Sequence, residues 1–330
     1  MEFKTSVSIP EAGFRFSYHD SMMLMGSCFA ETIGSKLSGH KFRVDVNPFG
    51  TLYNPVSIAL SLRKLMHPEP FTASDLFEYE GLYHSFAHHS RFSSPSAAEA
   101  LGRMNEQLAL SAGHQRKATR LILTFGTAYV YRLKSNGQPV SNCHKLPEKM
   151  FEREMLSVDA LAEEWRELLL SLWEENPALR VLFTLSPIRH WKDGAHANQL
   201  SKARLLLAIH ELQSLFPERV AYFPAYEIMM DELRDYRFYA DDMLHPSSLA
   251  IDYIWERFCR HCLTSESQSL LNEWAHIRKA IRHQAFHPGS ESHRQFILQT
   301  LLKAERLSEK FPFFDLSEEI KLLRSKTDVK

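Results

Sequence analysis

Cysteine is scarce: four residues in a chain of 330 cannot staple a fold of this size, which excludes a disulfide framework. Only Cys259 and Cys262 stand at a metal-like spacing, and with no second such pair they read as structural residues of a helix, so no metal is expected. An excess of one charge is missing too. Lys plus Arg number 39 against 40 Asp plus Glu, a net charge of −1, and a nucleic-acid partner is therefore not expected. No stretch approaches the roughly 18 uninterrupted apolar residues of a membrane span; the densest run, Leu205 to Ile209, is framed by Arg204 and His210. The first ten residues carry Glu2 and no apolar run of signal-peptide length, so a cytoplasmic location is the expectation. Internal repeats and low-complexity segments are absent as well. What remains is an ordinary globular composition, 44% hydrophobic and 24% charged, long enough for one large domain and an accessory piece.

Five short apolar runs have strand length: Met22 to Gly26, Phe42 to Val46, Leu121 to Phe125, Val181 to Leu185 and Val220 to Phe223. Each is followed by turn residues or by a helical pattern, and that alternation predicts βαβ units around a mostly parallel sheet. Four runs are almost continuously apolar, as strands buried on both faces should be. Phe42 to Val46 alternates, with Arg43 and Asp45 between apolar residues, and is expected at a sheet edge. Helices are predicted after the first strand (Phe29, Ile33 and Leu37 in one stripe), over Asp159 to Trp173, over Asn198 to Phe216 and over Ser247 to Leu263, all as apolar scaffold. An insertion at about 67–118, rich in Pro, Ser and His before a helical stretch from Ser96 to Leu110, is expected to cover or border a site.

The character changes after 263. Ser265-x-x-Gln268 has the form of a capping box, and Leu270, Trp274, Ile277 and Ile281 follow at helical spacing. A turn at His287-Pro-Gly289 leads into a further helix with Ile297, Leu301 and Ala304. The division is thus 1–263 for the α/β domain and 264–330 for a helical extension, expected to pack on that domain or on another subunit.

Two loops carry chemistry. Met25-Gly26-Ser27-Cys28-Phe29 puts a serine between an apolar strand and a helix, at the strand end where open α/β sheets bind ligands and where a helix N-terminus directs its N–H groups. Such a serine can attack a carbonyl while its own N–H receives the oxyanion, or it can be a plain N-cap. Cys28 is a rival nucleophile on the same helix terminus. The second loop, Ala240-Asp241-Asp242-Met243-Leu244-His245-Pro246, follows the fifth strand. An Asp three residues ahead of a His can fix the imidazole's tautomer while its other nitrogen faces a nucleophile, and Asp242 suits this better than Asp241.

Gly26-Ser27-Cys28-Phe29-Ala30 resembles the string that names the GSCFA family, and strand-Ser-helix with a late DxxHP resembles the wider SGNH/GDSL hydrolase superfamily. The likeness extends over most of residues 1–263, through Asn47 to Pro55, Thr124 to Thr127, Asn142 to Lys145, Leu185 to Lys192 and Asp235 to Tyr239. It implies a three-layer α/β/α fold, SGNH-hydrolase-like and flavodoxin-like, with Ser27 as nucleophile, His245 as general base and Asp242 orienting it. It also implies an oxyanion hole in which the Ser27 N–H is joined by Gly50 and by an asparagine. Gly126-Thr127-Ala128 lacks the asparagine where the superfamily carries one, so Asn142 or Asn47 is the substitute, or the hole uses backbone donors only.

Arg189, His190 and Lys192 follow the fourth strand at the same rim and suit a carboxylate, a phosphate or sugar hydroxyls, or else form a solvated turn. Tyr83, Tyr129 and Trp191 read as core before they read as sugar platforms. His84, His88 and His89 sit in a loop without an acidic pair. The function expected is that of a serine-dependent esterase or O-acyltransferase on a small-molecule or carbohydrate ester, with no cofactor; a non-catalytic binding module on the same fold is the alternative.

Overall fold

The computed structural model describes residues 4–283, 287 and 290–327; Pro288 and Gly289 of the expected turn lie outside the described residues. The chain divides into two compact units. One holds the residues up to Ser38 together with Phe42–Cys262; the other holds Gly39–Lys41 with the residues from Leu263 onward.

The first unit is an α/β fold around a parallel five-stranded sheet. In chain order its strands are β1 (Ser21–Gly26), β2 (Arg43–Val46), β5 (Arg120–Phe125), β9 (Arg180–Leu185) and β10 (Val220–Phe223). Their order across the sheet is β10-β9-β5-β1-β2, so the alternating strand does lie at an edge. Every pairing is parallel; Gly26 pairs with Thr124 and Phe125 with Leu185. From β1 the chain goes to one side for β2 and to the other for β5. The carboxyl end of β1 is therefore the topological switch point at which such sheets open a crevice.

Strand periodicity sorts the side chains onto two faces. Met23, Leu121, Leu123, Phe125, Val181, Phe183 and Leu185 turn to one face and pack with α2 (Pro55–Met66), α3 (Ala97–Gln115), α4 (Val158–Glu175) and α5 (Gly194–Leu215). Leu24, Ile122, Thr124, Leu182 and Thr184 turn to the other, against Phe29 and Ile33 of α1 (Cys28–Gly39) and Phe258 of α7 (Ser248–Cys262). A short α6 (Ala225–Glu227) runs into a π-helical turn before the Asp242 loop.

Both stretches between β2 and β9 carry extra structure. Residues 67–118 hold a small hairpin, β3 (Phe77–Tyr79) and β4 (Leu82–His84), ahead of α3. The β5–α4 connection forms a separate antiparallel sheet of β6 (Tyr129–Leu133), β7 (Pro139–Val140) and β8 (Phe151–Met155), in the order β7-β6-β8.

In the second unit α9 (Glu291–Lys310) packs against both α8 (Ser265–Arg282) and α10 (Ser317–Thr327). The start of α8 corrects the expected capping box. Thr264, not Ser265, is the N-cap, and its hydroxyl accepts the Ser267 N–H at 3.2 Å. Gln268 instead donates to the Leu263 carbonyl at 2.9 Å. Among the described residues no helix is long and apolar enough to cross a membrane.

Candidate active site

The end of β1 is held from both sides. Asn47, in the left-handed region at φ 47°, follows β2; its amide oxygen accepts the Gly26 N–H at 2.9 Å, while the Gly26 carbonyl accepts the Leu52 N–H at 2.9 Å. Gly26 itself has φ 140°, and a Cβ there would stand 2.2 Å from the Thr124 carbonyl oxygen. Only glycine fits so close to β5. Ser27 comes next, buried, at the N-terminus of α1. Its hydroxyl accepts the Phe29 N–H at 3.3 Å, so the serine does cap the helix. Capping and reactivity are compatible, because the same N–H that satisfies the helix also polarises the hydroxyl.

Ser27 and His245 line one cavity of about 540 Å³. His245 lies in the loop before α7, and its Nδ1 is 2.5 Å from Asp242 Oδ2. The other Asp242 oxygen accepts the N–H groups of Leu244 and His245, both at 2.9 Å. Those backbone donors, with the imidazole, pull the Asp242 carboxyl down to about 2. The carboxylate is therefore ionised throughout the neutral range. Met243 between them sits at φ 59°, a conformation that costs energy for a residue with a Cβ and curls the loop tightly enough for Asp242 to reach its own chain. Among the described residues no hydrogen bond joins Ser27 to His245; catalytic hydrogen bonds often close only around substrate.

Cys28 lines the same cavity, but burial pushes its thiol up from the ordinary value despite the backbone N–H groups of Cys28 and Phe29. A thiol held protonated is a poor competitor for the serine.

None of the residues expected as oxyanion donors offers a free donor to the cavity. The Ser27 N–H donates to the Thr124 carbonyl at 3.2 Å. The Gly50 N–H closes a turn onto the Asn47 carbonyl at 2.7 Å, and Gly50 packs on His89 outside the cavity lining. Asn142 does line the cavity, but its oxygen accepts the His144 N–H at 2.8 Å and its nitrogen donates to Ser90 Oγ at 3.4 Å. Asn47 has its amide nitrogen buried without a partner and does not line the cavity. In the first turn of α1, the N–H groups of Ala30 and Glu31 reach back to the Ser27 carbonyl. Among the described residues no oxygen accepts from the Cys28 N–H.

The walls come from an unexpected place. Of the 67–118 insertion only His89 reaches the cavity, whereas the β6–β8 sheet supplies Tyr129, Tyr131, Val140 and Arg153. Tyr129 is thus a wall residue rather than core, as is Trp191, half of whose surface is exposed; Tyr83 instead packs against the core. Arg189, His190 and Lys192 all line the cavity. Burial, with the positive charges of Lys202, Arg153 and His245 nearby, pulls His190 down to about 4. His84, His88 and His144 are structural. His88 packs among the rings of Phe49, Phe71 and Phe92, His84 bonds Ser93 at 2.7 Å, and His144 bonds the Ser85 carbonyl at 2.9 Å. Among the described residues no three His, Cys, Asp or Glu side chains converge as metal ligands.

One contributor carried no sequence motif. Lys202, wholly buried in α5, donates at 2.8 Å to the carbonyls of both Gly126 and Ser186, the residues that leave β5 and β9. Burial pulls its ammonium down to about 7. Its neighbours on the helix do similar service: Asn198 accepts the His190 N–H at 2.9 Å and Ser201 accepts the Ala128 N–H at 2.8 Å. The one sequence signal was a lysine lying four residues from Asn198 and three from Leu205 on the buried side of the helix.

Comparison with known proteins narrows the setting of this geometry. No curated protein matches the chain. A solved structure described as "a putative platelet activating factor from Streptococcus pneumonia" is similar at 11% identity over 78% of this chain and 86% of that one, with a TM-score of 0.38. The GSCFA domain protein, C-terminal domain model matches residues 274–329, within the second unit. The sheet, the Ser27 turn and the His245 loop all fall within residues 21–258, which match the GSCFA family model, and the chain belongs to the GSCFA family.

Proposed function

We propose that the first unit is a serine-dependent ester hydrolase or O-acyltransferase, SGNH-hydrolase-like in its three layers, acting on O-acyl esters. The observation that carries this reading is the convergence of two chain-distant loops on one cavity: Ser27 at a strand end and helix N-terminus, and His245 with its Nδ1 fixed by an ionised Asp242. Ser27 Oγ attacks the acyl carbon as its proton passes to His245 Nε2, and the tetrahedral oxyanion is received by the Cys28 N–H at the positive end of α1. Collapse expels the alcohol, which takes the proton from His245 and leaves an acyl-Ser27. Water or an acceptor hydroxyl then attacks the acyl carbon and gives its proton to His245, which passes it to Ser27 Oγ as the acyl–Oγ bond breaks and the product leaves.

The deciding experiment is intact-mass analysis after fluorophosphonate treatment of the wild type, Ser27→Ala and Cys28→Ala. One adduct on the wild type and on Cys28→Ala, lost in Ser27→Ala, is the expected result. No adduct on any of the three would replace the enzyme with a ligand-binding module on the same fold. With an ester substrate in hand, Ser27→Ala and His245→Ala should each remove most activity, and the double variant little more, because the residues act as one unit.

A further inference from the structure

Three cations line the cavity, and their neutralisation is unequal. Arg153 pairs with Asp193 at 2.6 Å and lies over the Tyr129 ring at 3.7 Å. Lys192 pairs with Glu148 at 2.5 Å. Arg189 has no carboxylate within salt-bridge distance among the described residues. Its Nη2 donates to the Met243 carbonyl at 2.6 Å, and its Nε is shielded from water with no acceptor. Its guanidinium is hemmed by aromatic rings, with centroids at 4.9 Å (Tyr239), 5.2 Å (Trp191) and 5.8 Å (Tyr236). The one acidic residue of the lining, Asp193, is already spent on Arg153.

An arginine presents five N–H donors in a planar fork suited to a carboxylate or phosphate. Here a single donor is used, and the aromatic rings flank the fork, which leaves its other N–H groups for a charge-assisted hydrogen bond to an anion. The partner it takes from the protein, the Met243 carbonyl, lies between Asp242 and His245, so an anion on Arg189 is held next to the proton-transfer loop. We propose that the substrate is an anionic ester, an O-acyl compound bearing a carboxylate or phosphate that Arg189 binds. This rests on the reading of the cavity as an ester site.

The test compares kcat/KM for 4-acetoxybenzoate and the neutral 4-acetoxybenzamide, whose leaving groups are similar, in the wild type, Arg189→Lys and Arg189→Gln. The wild type should favour the carboxylate by about tenfold or more; Arg189→Gln should lose that preference, its KM rising further for the carboxylate ester than for the neutral one; and Arg189→Lys should keep part of it. Equal turnover of both esters by the wild type overturns the anion role and leaves the esterase standing. So does an equal loss on both in Arg189→Gln, which would make Arg189 only a tie for the His245 loop. A second arm needs no turnover: calorimetric titration of the wild type and Arg189→Gln with galacturonate, glucose 6-phosphate and neutral galactose. Binding of either anion that is lost in Arg189→Gln supports the site even if no ester is cleaved, and shows whether carboxylate or phosphate is preferred. Absence of anion binding together with absence of preference overturns it.

Discussion

Helices α4 and α5 lie side by side under the same face of the sheet and do different work. Along its whole length α4 buries carbon: Leu161, Ala162, Trp165, Leu168, Leu169, Leu172 and Trp173. α5 buries carbon only in its second half, through Leu205, Ala208, Ile209 and Leu212, while its first half buries Asn198, Ser201 and Lys202. The expectation of two equivalent scaffold helices is therefore corrected. A buried polar side chain must find partners, and those of α5 find theirs in the loops that leave β5 and β9 beside the cavity. Half of α5 is core and half is the mounting of the site.

That contrast can be broken by substitution. Trp165→Ala in α4 should be the most costly change to the fold, about 3–5 kcal/mol for a large buried aromatic, with specific activity of the folded fraction unchanged; urea unfolding and kinetics on the same samples check both halves. Lys202→Met should reverse the pattern. It strands two carbonyls, at roughly 1–3 kcal/mol each, but also removes a buried charge, so its net cost to stability should be below that of Trp165→Ala. Activity should nonetheless fall about tenfold or more, since the loop ends carrying Gly126 and Ser186 are no longer fixed. Equal behaviour of the two variants would erase the distinction.

Acid gives a finer test. His190 is held neutral in the folded protein with its value drawn down to about 4, whereas the ordinary value is about 6.5. Unfolding or loosening lets it take up a proton. Its contribution to stability is thus whole above about pH 6.5 and is lost as pH falls through about 4. His88 and His144, drawn down to about 3 and about 4 under the hairpin, follow the same sign. Between about pH 6 and 4, amide protection relative to the intrinsic exchange rate at each pH should therefore fall around His190 before it does in α4. The smallest effect should come from Asn198→Ala, which deprives the His190 N–H of its acceptor at about 1 kcal/mol and should appear as a raised KM with kcat nearly kept.

How far the sequence alone was legible follows the same division. The five central strands, with α1, α3, α4, α5 and α7, could be read because continuous or periodic apolar runs have no other use for their carbon, whereas α2 was not read; the Ser27 and Asp242-to-His245 loops stood out as candidate chemistry at strand ends. The β6–β8 wall could not be read so. β7 has two residues, and β8 is Phe-Glu-Arg-Glu-Met, a strand with three charged residues in a row that give it the look of a loop. Lys202 was hidden by its charge, which ordinarily marks exposed positions. The fate of the Gly50 and Ser27 N–H groups was hidden because hydrogen bonds formed between loops distant in the chain leave no local pattern.

Gly26 also sets what the position before the serine tolerates. At φ 140° its backbone turns the bond that would carry a Cβ toward β5, where the Thr124 carbonyl leaves room for hydrogen and nothing larger. Any side chain at 26 must either push β5 away or straighten the turn, and either change moves the start of α1 relative to the sheet. A missing carbon thus fixes how sharply the chain can leave β1, and with it the spot at which Ser27 stands.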